Sequence, residues 1–325
     1  MTERSRAHLS GLEKSNLPYE NTMKNYEQTL LDMMAADERI IVMTAENRAA
    51  IRNLPNLAPE RFIDTGITEQ TMVGAAAGLA LRGRVPVLHA LATFLTLRAF
   101  EFVRTDVGIG NLPVKLVGGV PGFLSDGNGP THQAIEDVSL MRGIPHMHVF
   151  CPADEQDMLL GLPHIINSPH PTYIRFNALK PVIDHDSEFE IGRAEQVSDG
   201  TDVAILVYGM LFAQAWEAKA LLEAEGLSVR LINVRMPKPV DEEAILSAAR
   251  ETNLLVTLED HFLTGGLFSI VAETLLRHGE TAEVLPLALE ERWFRPALLN
   301  EVLRFEGFTG EQIAARILER VPARV

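Results

Sequence analysis

The sequence has a single cysteine among its 325 residues, Cys151, so the chain cannot form an internal disulfide. No group of cysteines and histidines has the spacing of a zinc site. Basic residues are also scarce, because 29 Lys and Arg stand against 44 Asp and Glu, which gives a net charge of −15. This balance favours solubility and argues against a polyanion-binding surface, so we expect no nucleic-acid partner.

Long apolar runs are missing as well. Residues 1–18 are polar and of mixed charge, without the apolar core of a signal peptide, and no later run is long enough to span a bilayer. We therefore expect a cytoplasmic protein with no membrane contact. Residues 1–18 are expected to form a flexible N-terminal arm or to order on a partner.

Short apolar runs alternate with helix-length amphipathic stretches through most of the chain. The alternation predicts an α/β fold class with two α/β domains and mainly parallel sheets. The predicted strands are residues 39–43, 85–89, 114–117, 147–150 and 171–177 in the first half, and 202–209, 228–234 and 253–259 in the second.

The first helix and the domain boundary follow from local patterns. Apolar residues recur at helical intervals from Asn21 to about Ala35, with Asn21 as the expected N-cap. Periodicity lapses between Lys180 and Glu195, so we place the first domain at residues 19–185 and the second at 193–325.

A Gly- and Ala-rich stretch, residues 71–80, follows the turn-forming segment Asp64-Thr65-Gly66-Ile67-Thr68-Glu69-Gln70. This order predicts a helix that begins at or near Glu69 and packs closely against its neighbours. An acid in a first turn is also favoured by the helix dipole alone, so a purely structural Glu69 is the competing interpretation.

Together with three later segments in the same order, this stretch resembles the thiamine-diphosphate enzymes of the transketolase group, in which Gly-Ile-x-Glu opens a small-residue helix. The resemblance implies that Glu69 is catalytic and cofactor-binding, with its carboxyl group on N1′ of the cofactor's aminopyrimidine. It also implies that Phe94 stacks on that ring, with Phe100 and the non-aromatic Leu91 beside it. The competing interpretation for both phenylalanines is the hydrophobic core.

A glycine-rich stretch, residues 118–133, ends in Gly-Pro-Thr-His-Gln, which is the most specific match in the chain. So flexible a composition is useful where backbone must come close to a ligand. In transketolases and deoxyxylulose-phosphate synthases this histidine faces the substrate, which assigns a catalytic and substrate-binding role to His132. Asn128 stands where both groups usually have an aspartate, and Val120 where transketolases have another histidine, so donor recognition is altered.

Two arginines match family positions that bind the anionic end of a substrate. Arg98 and Arg175 would bind phosphate or sulfonate through their planar guanidinium groups. The competing interpretations are a surface salt bridge from Arg98 to Glu101 and an exposed strand face for Arg175. Glu46 and Asn47, after the first predicted strand, are weaker candidates for which capping and turn roles are favoured.

The second domain contains Glu259-Asp260-His261 followed by Gly265-Gly266. By resemblance this segment serves packing and subunit contact, so we do not expect His261 to be catalytic. We expect Trp293 and Phe294 to lie in the core or at an interface.

The family holds the cofactor's diphosphate through Mg²⁺, with a Gly-Asp-Gly motif followed downstream by Asn, and this sequence has no such motif. The resemblance therefore implies the β-type subunit of a split transketolase, whose α-type partner carries the diphosphate and Mg²⁺ ligands in an α₂β₂ assembly. Its reaction would move a two-carbon ketol unit from an anionic sugar to an aldehyde. The alternatives are a 2-oxoacid-using subunit, of the deoxyxylulose-phosphate synthase or 2-oxoacid dehydrogenase E1 β type, and a regulatory subunit without catalysis.

Overall fold

Residues 25–321 are described by a computed structural model, and they form two β-sheets with helices packed on their faces. The strands are β1 (Ile40–Thr44), β2 (Phe62–Asp64), β3 (Val85–Leu91), β4 (Lys115–Gly119), β5 (His148–Phe150), β6 (Thr172–Arg175), β7 (Glu195–Ser198), β8 (Val203–Val207), β9 (Val229–Asn233), β10 (Leu254–Phe262) and β11 (Val284–Leu289).

The helices alternate with these strands along the chain. They are α1 (Tyr26–Ala36), α2 (Leu54–Leu57), α3 (Glu69–Leu81), α4 (Phe100–Phe102), α5 (Asp137–Arg142), α6 (Glu155–Asn167), α7 (Phe212–Ala224), α8 (Glu242–Glu251), α9 (Leu267–His278), α10 (Leu299–Glu306) and α11 (Gly310–Leu318). None of these helices is long and apolar enough to cross a membrane.

Both sheets are built mainly from parallel strands. The first has six strands in the order β2-β1-β3-β4-β6-β5, all parallel. The second has five in the order β11-β10-β8-β9-β7, with β7 antiparallel to β9. Central strands such as β1 and β8 are buried along their whole length, as expected when helices cover both faces of a parallel sheet. The prediction of two α/β domains with mainly parallel sheets is confirmed.

The start of α1 differs from the prediction. The helix begins at Tyr26, and the Asn25 side chain caps it by accepting a hydrogen bond from the backbone N–H of Gln28 at 2.9 Å. The expected cap, Asn21, and the expected arm at residues 1–18 lie outside the described residues. The pattern predicted the helix but not which asparagine caps it, because either one precedes apolar residues at helical spacing.

The loops that carry the predicted site residues share one edge of the first sheet. Thr44 at the end of β1 pairs with Asp64 of β2 and His89 of β3, and Leu91 pairs with Gly119 of β4. Because the strands are parallel, the segments that follow them emerge on the same side, where open α/β sheets bind ligands.

The segment after β3 winds as two π-helical turns, Phe94–Arg98 and Val103–Gly108, on either side of α4. Such wide turns are frequent at functional sites. Arg98, the last residue of the first turn, contacts Glu69 at the start of α3.

The domain junction is held by buried charged groups around His185. Its two ring nitrogens lie 2.8 Å from Asp154 Oδ2 and 2.7 Å from Glu195 Oε2, which joins the first domain to the second. Burial by itself lowers the pKa of His185, but the hydrogen bonds with both carboxylates outweigh burial and raise the pKa to about 10. The histidine is therefore a cation at neutral pH.

Candidate active site

Glu69 is the first residue of α3, and only 2 % of it is exposed. Gly66, with a φ of 69°, turns the chain from β2 towards the helix, and its N–H donates to Asp64 Oδ1 at 3.0 Å. Arg98 Nη1 donates to Glu69 Oε2 at 3.0 Å. The other carboxylate oxygen, Oε1, accepts no hydrogen bond from the residues that the structure describes. One oxygen of Glu69 is thus anchored, and the other has no donor among the described residues.

An open cleft of about 470 Å³ lies beside Glu69. Apolar side chains of Ile67, Leu91 and Phe94 line one part of it, and Asn47, Arg48 and Arg52 line another. Its volume is within the range of small-molecule sites, about 300–1,000 Å³. A larger groove of about 1130 Å³ follows the linker between the domains but contains none of the predicted site residues. We therefore assign the candidate site to the smaller cleft.

His132 contacts Phe94, one of the residues that line this cleft. Their ring centroids are 5.2 Å apart with the planes at 65°, so the imidazole meets the phenyl ring edge to face. The Arg98 guanidinium lies 3.9 Å from the Phe94 ring centroid, within cation–π range. Thr131 Oγ1 lies 2.9 Å from His132 Nδ1, which leaves Nε2 for another partner. Glu69, Arg98, Phe94 and His132 therefore form one contiguous group.

Three other predicted residues lie outside this group. Phe100 is half-buried and packs on the hydrophobic core, as its competing interpretation stated, and does not line the cleft. Asn128 uses its side chain to donate to Ser125 O at 2.9 Å within its own loop. Leu91 lines the cleft, although it lies outside the contiguous group.

Arg175 is in a different environment from the one that the prediction requires. It is 2 % exposed, with Nε 2.8 Å from Asp137 Oδ2 and Nη1 2.6 Å from Asp260 Oδ1. Both carboxylates that pair with the guanidinium are buried, and its substrate-binding role stays a prediction. The expectation of an exposed strand face is wrong. The competing interpretation for Arg98, a salt bridge to Glu101, does not hold either, because Arg98 pairs with Glu69.

The cleft also contains cations that the sequence reasoning missed. Arg48 is paired with Asp64, Nε to Oδ2 at 3.0 Å, while Arg52 is exposed and has no hydrogen-bond or ion-pair partner within residues 25–321. A signal was present, since both arginines follow the end of a predicted parallel strand, where such sheets place ligand-binding groups.

In the second domain, His261 and Phe294 are buried as expected, whereas Trp293 is not in the core, and its place at an interface stays a prediction. His261 is buried, and burial lowers its pKa to about 4. Its Nδ1 donates to Phe262 O at 2.6 Å and its Nε2 accepts from Ser139 N at 3.2 Å, so both nitrogens are used in packing. Phe294 is buried in the core and Trp293 is exposed.

The fold and the cleft define the class of protein first: a two-domain α/β chain with a buried glutamate, an aromatic ring and a histidine at the carboxyl edge of a parallel sheet. Family comparison then gives the particular group. Residues 20–180 match the pyrimidine-binding domain of transketolase, and residues 192–313 match the transketolase C-terminal domain. The chain belongs to the transketolase family, whose enzymes depend on thiamine diphosphate.

Similar proteins include separate transketolase subunits. The 6-deoxy-6-sulfo-D-fructose transketolase subunit SqwH of Clostridium sp. strain MSTE9 is 38 % identical over 77 % of this chain and 79 % of its own length. One subunit of the apulose-4-phosphate transketolase of Phocaeicola vulgatus is 33 % identical over 78 % of this chain and 82 % of its own length. A solved split-gene transketolase, described as an inactive β4 tetramer, gives a TM-score of 0.81 at 32 % identity, covering 90 % of this chain and 95 % of that one.

The 1-deoxy-D-xylulose-5-phosphate synthase of Synechococcus elongatus is 35 % identical over 93 % of this chain, but the chain spans only 48 % of that enzyme. The matches to separate subunits cover a larger share of the relatives' own length, 79 % and 82 %. The predicted resemblance to the pyrimidine-binding and C-terminal part of a split transketolase is therefore confirmed.

Proposed function

We propose that this chain is the β-type subunit of a split, thiamine-diphosphate-dependent transketolase, which transfers a two-carbon ketol unit from an anionic ketose to an aldehyde acceptor. The observation that carries the proposal is the buried Glu69 carboxylate, with one free oxygen, in a cleft that it lines together with Phe94, whose ring contacts His132. The similarity to separate transketolase subunits supports the same assignment.

The residues present fit an aminopyrimidine. A flat ring with a polar edge needs apolar faces and a group at the edge that can share a proton. Phe94, Leu91 and Ile67 supply apolar surface in the cleft, and Glu69 Oε1 is an acceptor without a protein partner in the described part of the chain. In a poorly hydrated site, a shared proton between carboxyl and ring nitrogen is strong.

Each side chain then has one task. Thiamine diphosphate, when bound, supplies the nucleophilic carbon for the carbon–carbon bond cleavage. Glu69 binds the ring nitrogen and holds or releases its proton at Oε1. Phe94 supports the ring face and excludes water from it. His132, with Nδ1 occupied by Thr131, offers Nε2 to a substrate hydroxyl or to the oxygen on which negative charge develops.

The anionic end of the substrate is proposed to bind at the arginines of the cleft. Arg52 and Arg48 line it, and Arg98 is 40 % exposed beside Phe94. Guanidinium groups suit phosphate and sulfonate because their donors form a planar fork. The names of two similar subunits refer to a sulfonated and a phosphorylated sugar, which supports an anionic ketose. Asn128 remains a predicted contact to the donor.

The ligands of the diphosphate and of Mg²⁺ are proposed to come from an α-type partner in an α₂β₂ assembly in the cytoplasm. Within residues 25–321, one group of side chains could hold a metal: Asp157, His185 and Glu195. These do not line the cleft, and Arg235 occupies the two carboxylates at 2.7 Å and 3.1 Å, so they do not fit the cofactor's cation. The relative that forms an inactive β4 tetramer supports the need for a partner.

Calorimetric titration tests the shared site. Thiamine diphosphate with Mg²⁺ is titrated into the chain alone and into the chain co-purified with a candidate α subunit, and we expect tight binding only in the complex. Tight binding and turnover by the chain alone would overturn the two-subunit proposal.

Glu69→Gln tests the chemistry in the reconstituted complex. We expect kcat to fall by about 100-fold or more, the scale of a general acid–base contribution, with the complex intact. Glu101→Gln is the matched control, because Glu101 is exposed and does not line the cleft, and its kcat should stay at the wild-type value. Unchanged turnover by Glu69→Gln would favour a regulatory subunit, and CO₂ released in step with donor consumption would favour the 2-oxoacid alternative.

A further inference from the structure

The loop that carries His132 is closed at its base and held there by the second domain. Gly122 N donates to Ala134 O at 2.9 Å, which closes residues 122–134 into a loop. Next to this closure, Phe262 N of the second domain donates to Ile135 O at 2.8 Å. The base is therefore fixed to strand β10 as well as to its own sheet.

A single buried carboxylate, Asp260 of β10, is linked to both ends of this loop, directly to the first and through Arg175 to the second. Its Oδ2 accepts from Phe123 N at 3.2 Å, at the first end. Its Oδ1 accepts from Arg175 Nη1 at 2.6 Å, and Arg175 Nη2 reaches Ala134 O at 3.4 Å, at the second end. Asp260 thus controls the spacing of the two ends through one direct contact and one relayed through Arg175.

The packing around Asp260 leaves no room for adjustment. Gly122 has a φ of 54°, and a Cβ atom on it would overlap Asp260 Oδ2. The Phe123 ring packs edge to face on Phe294 and Phe308 of the second domain, with centroids 5.2 Å and 5.1 Å away. A carboxylate, an aromatic anchor and a glycine therefore define one position of the loop base.

His132 lies two residues before the second end of the loop and meets Phe94, which lines the cleft, with the ring centroids 5.2 Å apart. Next to His132, Gln133 Nε2 donates to Phe294 O at 2.9 Å, which also fixes the loop to the second domain. Because a displacement of about 1 Å at a reacting group can cost about 100-fold in rate, the position of the base affects catalysis.

We propose that Asp260 is a positioning residue of the active site, which sets His132 against the cleft through Arg175 and the two ends of loop 122–134. The proposal rests on the proposed function, because it assigns His132 a role in turnover. It gives the second domain a part in catalysis, although Asp260 lies far along the chain from the residues that are proposed to bind the cofactor.

A double-mutant cycle in the reconstituted complex tests this role. Asp260→Asn keeps the size of the side chain and an acceptor for Phe123 N but removes one of the two charges that hold Arg175, the other being Asp137. We expect kcat/KM to fall about 10- to 100-fold in the wild-type background, and by less than about 3-fold in the His132→Ala background. Thiamine diphosphate affinity should stay unchanged, because Glu69 and Phe94 do not contact Asp260.

The matched control is Asp157→Asn. Asp157 is also fully buried, pairs with a buried arginine, Arg235 Nε at 2.7 Å, and accepts a backbone hydrogen bond from Ala153 at 2.9 Å, but it does not contact loop 122–134. Any fold-loss of kcat/KM that Asp157→Asn causes should multiply with the fold-loss caused by His132→Ala. A purely structural Asp260 would behave in the same way.

If Asp260→Asn does not assemble, Gly122→Ala displaces the same base from the loop side and enters the same cycle. If the fold-loss of kcat/KM of the assembled variant multiplies with that of His132→Ala, the positioning role is overturned. The proposed function would then stay intact. A fully active His132→Ala complex would overturn the positioning role together with the catalytic role proposed for His132, while Glu69→Gln tests the proposed function separately.

Discussion

Two roles compete for Arg175: it is either the cation of a buried ion-pair group or a ligand of the substrate anion. The replacement Arg175→Met separates the two. The replacement keeps an unbranched apolar stem but removes the cation shared by Asp137 and Asp260, both of which are buried. Removing one partner of a buried pair typically costs about 3–5 kcal/mol, because the other charge stays unpaired away from water. At about 2 °C per kcal/mol for a chain of this size, the midpoint of thermal unfolding should fall by about 6–10 °C.

Arg230→Met is the control for the loss of an arginine as such. The Arg230 side chain is only 5 % exposed, but its partners Asp199 and Glu251 are 77 % and 56 % exposed. These carboxylates are solvated after the replacement, so the expected cost is about 1 kcal/mol or less, and the midpoint should fall by about 2 °C or less. Thermal unfolding followed by circular dichroism at equal protein concentration measures both variants.

A substrate-binding Arg175 would give the opposite pattern. The variant would then unfold within about 1 °C of the wild type, and KM would rise for an anionic donor but not for its neutral analogue. That result would refute the assignment of Arg175 to the buried pair. It would also remove the relay from Asp260 to Ala134.

Three further changes test the cleft and the junction. Phe94→Leu should raise the dissociation constant of thiamine diphosphate in the complex about 2- to 10-fold, since ring contacts add about 0.5–1.5 kcal/mol beyond area; unchanged calorimetric affinity would exclude stacking. Arg52→Ala should raise KM about 10-fold for an anionic ketose donor and leave the neutral analogue unaffected, the scale of one solvated charge-assisted hydrogen bond, whereas equal rises would exclude anion recognition. His185 stabilises the fold fully below its ordinary pKa of 6.5, and this stabilisation is lost as the pH rises through its folded-state pKa of about 10. Urea unfolding should therefore show a gap between wild type and His185→Gln that narrows from pH 7 to pH 10, and a constant gap would contradict the charged state.

Elements whose sequence signal is local could be predicted from the sequence alone. The α3 start at Glu69 follows from turn residues before a Gly- and Ala-rich helix, and the structure places it there. Buried parallel strands were predicted from apolar runs. Strand β7, Glu-Gln-Val-Ser, and strand β11, which contains Pro286, were missed because edge strands need neither an apolar run nor a full set of backbone donors.

The buried environment of Arg175 was not predictable, for a different physical reason. An arginine on a strand looks the same in sequence whether it binds a ligand or a carboxylate. The deciding partner, Asp260, lies 85 residues further along the chain and belongs to the other domain. Only the tertiary arrangement brings the two together, so the local pattern, which indicated an exposed strand face, led to the wrong environment.

Arg98 shows why the cleft cations cannot be treated as equivalent. Its guanidinium donates to Glu69 Oε2 at 3.0 Å and lies 3.9 Å from the Phe94 ring centroid, so it holds two residues of the proposed cofactor site. Because Glu69 is 2 % exposed, loss of Arg98 leaves a buried carboxylate without its charged partner. A replacement at Arg98 would therefore disturb cofactor binding even if Arg98 never meets a substrate. Arg52 lines the same cleft without contacting Glu69, so its replacement reports on the substrate anion alone.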